Sequence, residues 1–354
     1  DEAQPFLHLE ELETIEFLKK QVDTGYFEGL VQKYFLENTH ASVVIAEPKY
    51  GLNTEKEEAL AKKLSAYKAS LSKEELQEMV DFTHHLRQYQ EEPSRPEDLE
   101  KIPTLSRSDI KKTGEKLYIR EHQAAGTKML CHDIDTNGIA YFSLMFGFQG
   151  LPEEDIPYLG ILKSVLGYVD TEHYNFRELA NEINLHTGGI FSNIGIYPRV
   201  DSGSIRLEYE VKIKALYHEI PKAMELVQEI LKSSSFRKQE RMYEILAQLK
   251  SRLQMTLSSA GHSISSMRAM SYFSESAKYT DLTQGIAFYQ LVKDLEEHFE
   301  EKKDFLMEKL EMLMPQIFCK DNFMVSVGAE PEGQKLVEKG IPALKETLSG
   351  NRPS

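Results

Sequence analysis

Between Ile205 and Ile213 the sequence alternates without a slip: Ile205, Leu207, Tyr209, Val211 and Ile213 take turns with Arg206, Glu208, Glu210 and Lys212. A period of two sends successive side chains to opposite faces of a strand, so this segment needs a sheet with one covered and one wet face. Parallel sheets are covered on both faces and read as continuous apolar runs. The pattern therefore predicts a two-layer α+β domain, an antiparallel sheet with helices on one face, over residues 115–350. Further strands are expected at Ile139–Phe148, Ile190–Tyr197 and Phe323–Val327. Helices are expected at about 216–232, 236–258, 283–314 and 333–348. Gly150–Pro157 opens another helix, with Leu159, Leu162 and Leu166 as its apolar face. Asn175, with Glu178 three residues on, caps one that turns Leu179 and Ile183 inward and breaks at Thr187-Gly188-Gly189.

Upstream the texture differs. Thr54 with Glu57, and Ser72 with Glu75, have capping-box spacing, each ahead of a helical stripe: Leu60, Leu64, Tyr67 and Leu71, then Leu76, Met79, Thr83 and Leu86. Two helices with almost no loop between them predict a helical hairpin linker over 52–92. Residues 93–114 carry Pro93, Pro96 and Pro103 among charges and read as a connector. Before the hairpin, a helical period from Glu10 to Asn38 and a β-branched strand at Ala41–Ala46 are too little to close a core, so residues 1–51 read as the end of an upstream α+β domain. The chain opens at Asp1 on helix-like sequence and ends on the linker-like Ser349–Ser354, and the expectation is a portion of a longer protein.

Composition narrows the function. Lys plus Arg (42) against Asp plus Glu (57) leaves a net charge of −15 over 354 residues, which argues against a nucleic-acid partner. No apolar run is long enough to span a membrane. Two cysteines, Cys131 and Cys319, make no disulfide framework and suit a reducing compartment. Eleven histidines invite a search for metal spacing. Zinc on a helix takes two imidazoles one turn apart with a carboxylate beside them. His298 and Glu301 begin an H-x-x-E-H pattern, but the fifth position is Lys302, whose ammonium would repel a cation. His84 and His85 are adjacent and diverge by about 100° on a helix. His132, between Cys131 and Asp133, reads as a strand-end residue, and His186 as a helix C-terminal residue favoured by the dipole. No nucleophile elbow, P-loop or dinucleotide fingerprint is present.

Several motifs in order resemble one family. Glu37-Asn-Thr-His40, Lys68-Ala-Ser-Leu-Ser72, Thr136-Asn137-Gly138-Ile139, Gly150–Leu159, Asp170-Thr-Glu172 and Asn184-Leu-His-Thr-Gly-Gly-Ile190 are similar to the presequence-protease branch of the insulinase-like (pitrilysin, inverzincin) zinc metallopeptidases. The similarity runs over most of residues 10–330. The resemblance implies two homologous halves, each of two α+β domains, joined by a helical hairpin and closing on a peptide. It places this chain at the end of the second domain, the hairpin and the third domain. Zinc and its H-x-x-E-H motif belong to the first domain, and the transition-state-assisting Arg and Tyr to the fourth.

Because the third domain repeats the fold of the first, the resemblance also assigns degenerate positions. The two histidine positions become Leu159 and Lys163 and the general-base position Leu162, ahead of Ser164-Val165-Leu166. It thus implies a catalytically silent domain with no catalytic residue and no metal ligand of its own, zinc being a cofactor of the parent protein. The stretch equivalent to the substrate-pairing strand is Gly189, Ile190, Phe191 and Ser192. The implied partners are the missing catalytic half, in intramolecular contact, and a peptide substrate. The implied function is the hinge and chamber wall of a zinc endopeptidase that degrades unfolded peptides, in a bacterial cytoplasm or in a mitochondrion or plastid. The alternatives are a stand-alone peptide-binding or scaffold subunit, and a metalloenzyme built on His298 and Glu301.

Overall fold

In the computed structural model Ser72 and Glu75 close their capping box: the Glu75 N–H donates to Ser72 Oγ (3.1 Å) and the Ser72 N–H to Glu75 Oε2 (2.8 Å). Described are residues 4–114 (His8 without its side chain), 118–200 and 202–350, in two compact units, Asp1–Lys111 and Lys112–Ser354. The first unit holds helices α1 (Leu12–Gln21), α2 (Tyr26–Val31, running on into a π turn), α3 (Leu52–Ser70), α4 (Lys73–Glu91) and the single turn α5 (Pro96–Leu99). The helical period of Glu10–Asn38 is broken at Val22–Gly25, where Asp23 and Gly25 both take positive φ. Thr54 and Glu57 make no capping box, because α3 begins at Leu52 behind Gly51 and Thr54 is already inside it. Only Leu71 and Ser72 separate α3 from α4, yet the two do not pack along their lengths and both stripes stay partly exposed. Ala41–Ala46 is not a strand: a β-branched run needs a neighbour for its backbone groups, and this unit's described residues supply none. No described residue of this unit is buried.

In the second unit the strands are β1 (Ile119–Ala124), β2 (Thr127–Asp133), β3 (Ile139–Gly147), β4 (Ile190–Pro198), β5 (Ile205–Leu216) and β6 (Phe323–Ala329). They form one sheet in the order β1-β2-β6-β3-β5-β4. The expected antiparallel sheet is in fact mixed, since β2 and β6 run parallel while every other pair is antiparallel. The β1–β2 hairpin went unread in the sequence because His122, Gln123, Lys128 and His132 interrupt its apolar period.

Register builds one continuous covered face. Leu144 sits opposite Val211 and Val325, Phe142 opposite Ile213 and Val327, and Met129 opposite Val325. Against it pack α6 (Ile156–Val165), α8 (Ile220–Ser233) and α14 (Pro331–Thr347). Also present are α7 (Phe176–His186), α9 (Gln239–Ser259), α10 (Gly261–Met270), α11 (Glu275–Gln284), α12 (Ile286–Glu297) and α13 (Phe299–Ile317). The long helix expected at 283–314 is thus two, broken at His298. Burying a leucine or phenylalanine is worth about 1.5–3 kcal/mol, so the register that puts these residues on one face is strongly preferred over a one-residue slip.

The opposite face is less wet than alternation alone suggests. Glu208 and Glu210 are only 1% and 2% exposed. Arg206 pairs with Glu208, and Lys212 (2.9 Å), Asn193 (2.8 Å) and Tyr197 surround Glu210. At the end of the chain Ser349 does not begin a free linker: its N–H donates to the Phe318 carbonyl (3.1 Å), and its own carbonyl accepts from Lys320 (3.2 Å). Asn351–Ser354, the rest of that expected linker, the domain's expected start at 115–117 and the opening residues 1–3 lie outside the described residues.

Candidate functional site

The sequence-predicted positions gather on α6 and β4. Pro157 stands in the first turn of α6, where a missing N–H costs nothing, and fixes the helix start. Leu159 and Leu162 are fully buried in the core, with Ile161 and Val165. Gly160 lies so close to its neighbours that an added Cβ would stand 2.8 Å from the Thr283 carbonyl and 2.6 Å from the Phe288 ring. Lys163 alone of the three reaches a surface, half-buried in a cleft with Arg252; burial first, then the Arg252 charge, holds its pKa below the usual lysine range. Zinc needs lone-pair donors from imidazole, carboxylate or thiolate. Two aliphatic side chains sealed in a core and an ammonium offer none, so these residues do not fit the ion.

β4 is an edge of the sheet, paired among the described residues only with β5. Gly189 precedes it at φ +125°, a conformation that side-chain-bearing residues rarely adopt, and a Cβ there would also strike the Phe191 ring. The Gly188 N–H donates to the Lys214 carbonyl (2.7 Å) and the Gly189 N–H to Thr187 Oγ1 (3.0 Å), tying the turn between α7 and β4 to β5. Ile190 and Ser192 share the helix-covered face with Ile213 and Val211, whereas Phe191 sits beside Lys212 on the open face and is 56% exposed.

The remaining histidines are spread out. His298 caps the junction of α12 and α13 and turns its Nδ1 toward Asp294 (Oδ1 3.2 Å), the carboxylate that also binds Lys302. The Lys302 hydrogen bond keeps the Asp294 carboxyl below its usual range. A cation at His298 would therefore compete with an ammonium already in place. His132 lies on β2 with Nε2 3.2 Å from Ser326 Oγ, on the face opposite Cys131 and Asp133. His186 ends α7, 2.8 Å from Glu219. His84 and His85 are exposed on α4. Sequence reasoning missed the cleft around Lys163 and Arg252, because 89 residues separate two basic side chains that only the packing of α9 on α6 brings together.

The family model for the region associated with peptidase M16, subgroup C, matches residues 47–295. The chain belongs to that family. Protein HypA of Clostridium perfringens is 34% identical over 340 residues, 96% of this chain and 35% of that protein. Presequence protease 1 of Arabidopsis thaliana, chloroplastic/mitochondrial, is 25% identical over 99% of this chain and 33% of its own length. The chain thus spans about a third of the relatives it matches. Among solved structures, the peptidase M16 inactive domain from Pseudomonas fluorescens aligns at 12% identity with a TM-score of 0.45, over 67% of this chain and 52% of that one. The resemblance read from the motifs is upheld at the level of the family, in which this chain has both a bacterial relative and a chloroplastic/mitochondrial presequence protease. No helix among the described residues is long and apolar enough to cross a membrane.

Proposed function

We propose that this chain is the non-catalytic central part of a zinc-dependent endopeptidase that degrades unfolded peptides. In this reading 52–92 serves as the hinge and 115–350 as the chamber wall facing a zinc site carried by another part of the same protein. The observation that carries it is α6: the helix whose positions would hold zinc and its base in a catalytic copy spends Leu159 and Leu162 on the core and presents Lys163 instead. A wall of this kind contributes by excluding water and folded chains from the chamber. The edge position of β4 supports a second contact: an extended peptide adding to Gly189–Ser192 would be recognised through its backbone and so without regard to sequence. The net charge of −15 suits basic peptides, in line with presequence substrates.

The test is peptide hydrolysis. The purified chain should cleave no unfolded peptide, with or without added zinc, and should bind such peptides without consuming them. Cleavage that a chelator abolishes would overturn the reading. A gene carrying an H-x-x-E-H motif ahead of this region supports a single-chain protease. A gene without one points to the scaffold subunit instead.

A further inference from the structure

Where α6, α9, α12 and β4 meet, a cleft of about 510 Å³ is lined by Lys163, Arg241, Arg252, Ser192, Gln248 and Gln284, among others, and by no carboxylate. Three cations on a lining that includes no carboxylate stand out in a chain of net charge −15. Arg241 is fixed by Tyr168 (Nε to carbonyl, 2.9 Å), by Glu244 (3.1 Å) and by lying 4.2 Å over the Phe176 ring. Lys163 and Arg252 have no carboxylate partner among the described residues, unlike Lys250 with Glu296 (2.7 Å), Lys222 with Glu182 (3.1 Å) and Arg268 with Asp281 (2.5 Å). Lys163 is half-buried and Arg252 is exposed at its side; the two like charges repel, a cost that an anion set between them would offset. Around them Ser192, Gln248 and Gln284 provide hydroxyl and amide donors, the mixture that binds oxyanions.

We propose that this cleft is an oxyanion site filled by a peptide carboxylate, from a C-terminus or an acidic side chain, or by a free anion of the same geometry. The peptide source rests on the reading of the chain as a chamber wall: Ser192 belongs to both the cleft and the edge strand, so a peptide laid along β4 passes the mouth of the cleft. An arginine fork and an ammonium would grip the two carboxylate oxygens while the backbone adds to the strand.

The experiment is calorimetric titration of the full 354-residue chain with three probes: an unstructured peptide lacking acidic side chains, its C-terminal amide, and inorganic phosphate. The free acid should bind at least about fivefold more tightly than the amide, and phosphate should compete with it. Lys163→Met and Arg252→Gln should each weaken the acid about tenfold, equivalent to about 1.4 kcal/mol. Arg252→Lys should recover part of that loss, and Lys293→Met, on the outer surface, should change nothing. Should a variant fail to fold, phosphate must still protect Lys163 of the native chain from amine-directed labelling. Equal binding of acid and amide, with no effect at Lys163, sinks the site while leaving the chamber-wall reading intact. Lys163-dependent binding of phosphate with no binding of either peptide keeps the site, assigns it to a free anion and removes support from the wall reading. Equal loss in Lys163→Met and Lys293→Met reduces the effect to overall charge and overturns the proposal.

Discussion

Single residues in this protein show how environment reassigns ordinary chemistry. Glu229 is pushed up by burial but held at about 2 by the N–H and ring of His173 and by the Thr171 and Ser233 hydroxyls. Its hydrogen bond in turn raises the His173 pKa. A carboxyl below its usual 4.5 stabilises the fold above that pH and loses its contribution as pH falls toward 2. A histidine above its usual 6.5 does so below that value and loses it as pH rises through the raised one. Glu229→Gln should therefore lower the melting temperature by a few degrees, most between about pH 4.5 and 6.5 and least near pH 2. Melts across that range decide it, and a pH-independent gap would contradict the pairing. Gly189→Ala must force φ +125° on a residue with a Cβ and displace Phe191. A loss of about 1–3 kcal/mol in urea unfolding is expected, with Gly150→Ala, where nothing lies within 4 Å, as a milder comparison at a positive φ.

At the level of elements, α6 is fastened by its smallest residue. Adding a methyl at Gly160 meets the Thr283 backbone carbonyl as well as the Phe288 ring, and backbone yields less easily than a side chain. Gly160→Ala should cost about 1–3 kcal/mol despite the better helix propensity of alanine. A variant as stable as the parent would show that α11 and α12 can retreat. The elements legible in advance were those whose cause is local. Asn175 and Glu178 form their capping box, with Asn175 Oδ1 accepting from the Arg177 and Glu178 N–H groups, and β5 falls where its alternation puts it. What escaped was set at long range. The β1–β2 hairpin carries too many polar residues to alternate, the break at His298 lies inside an unbroken helical pattern, and the parallel pairing of β2 with β6 joins segments nearly 200 residues apart. The degenerate positions on α6 could be numbered from a family likeness, but the burial of Leu159 and the exposure of Lys163 to a basic cleft belong to tertiary packing.

Over the whole molecule, protection is unevenly shared. The first unit has helices but no buried described residue, and the second carries the entire core. Hydrogen exchange should find the amides of α3 and α4 exchanging orders of magnitude faster than those of β3 and β5, since isolated helices open locally and a central ladder opens only with the domain. Equal protection in both would mean that the first unit's exposed leucines and tyrosines are covered in solution. The sheet order has one more consequence. β6, made after some 200 intervening residues, is the slat between β2 and β3, and among the described residues no other strand bridges them. On a ribosome the hairpin of β1 and β2 and the ladder of β3, β5 and β4 must wait apart, each with a bare edge, until Phe323–Ala329 emerges to join them. Nascent chains stopped before that point would be two unfinished half-sheets with a chaperone's work still to be done.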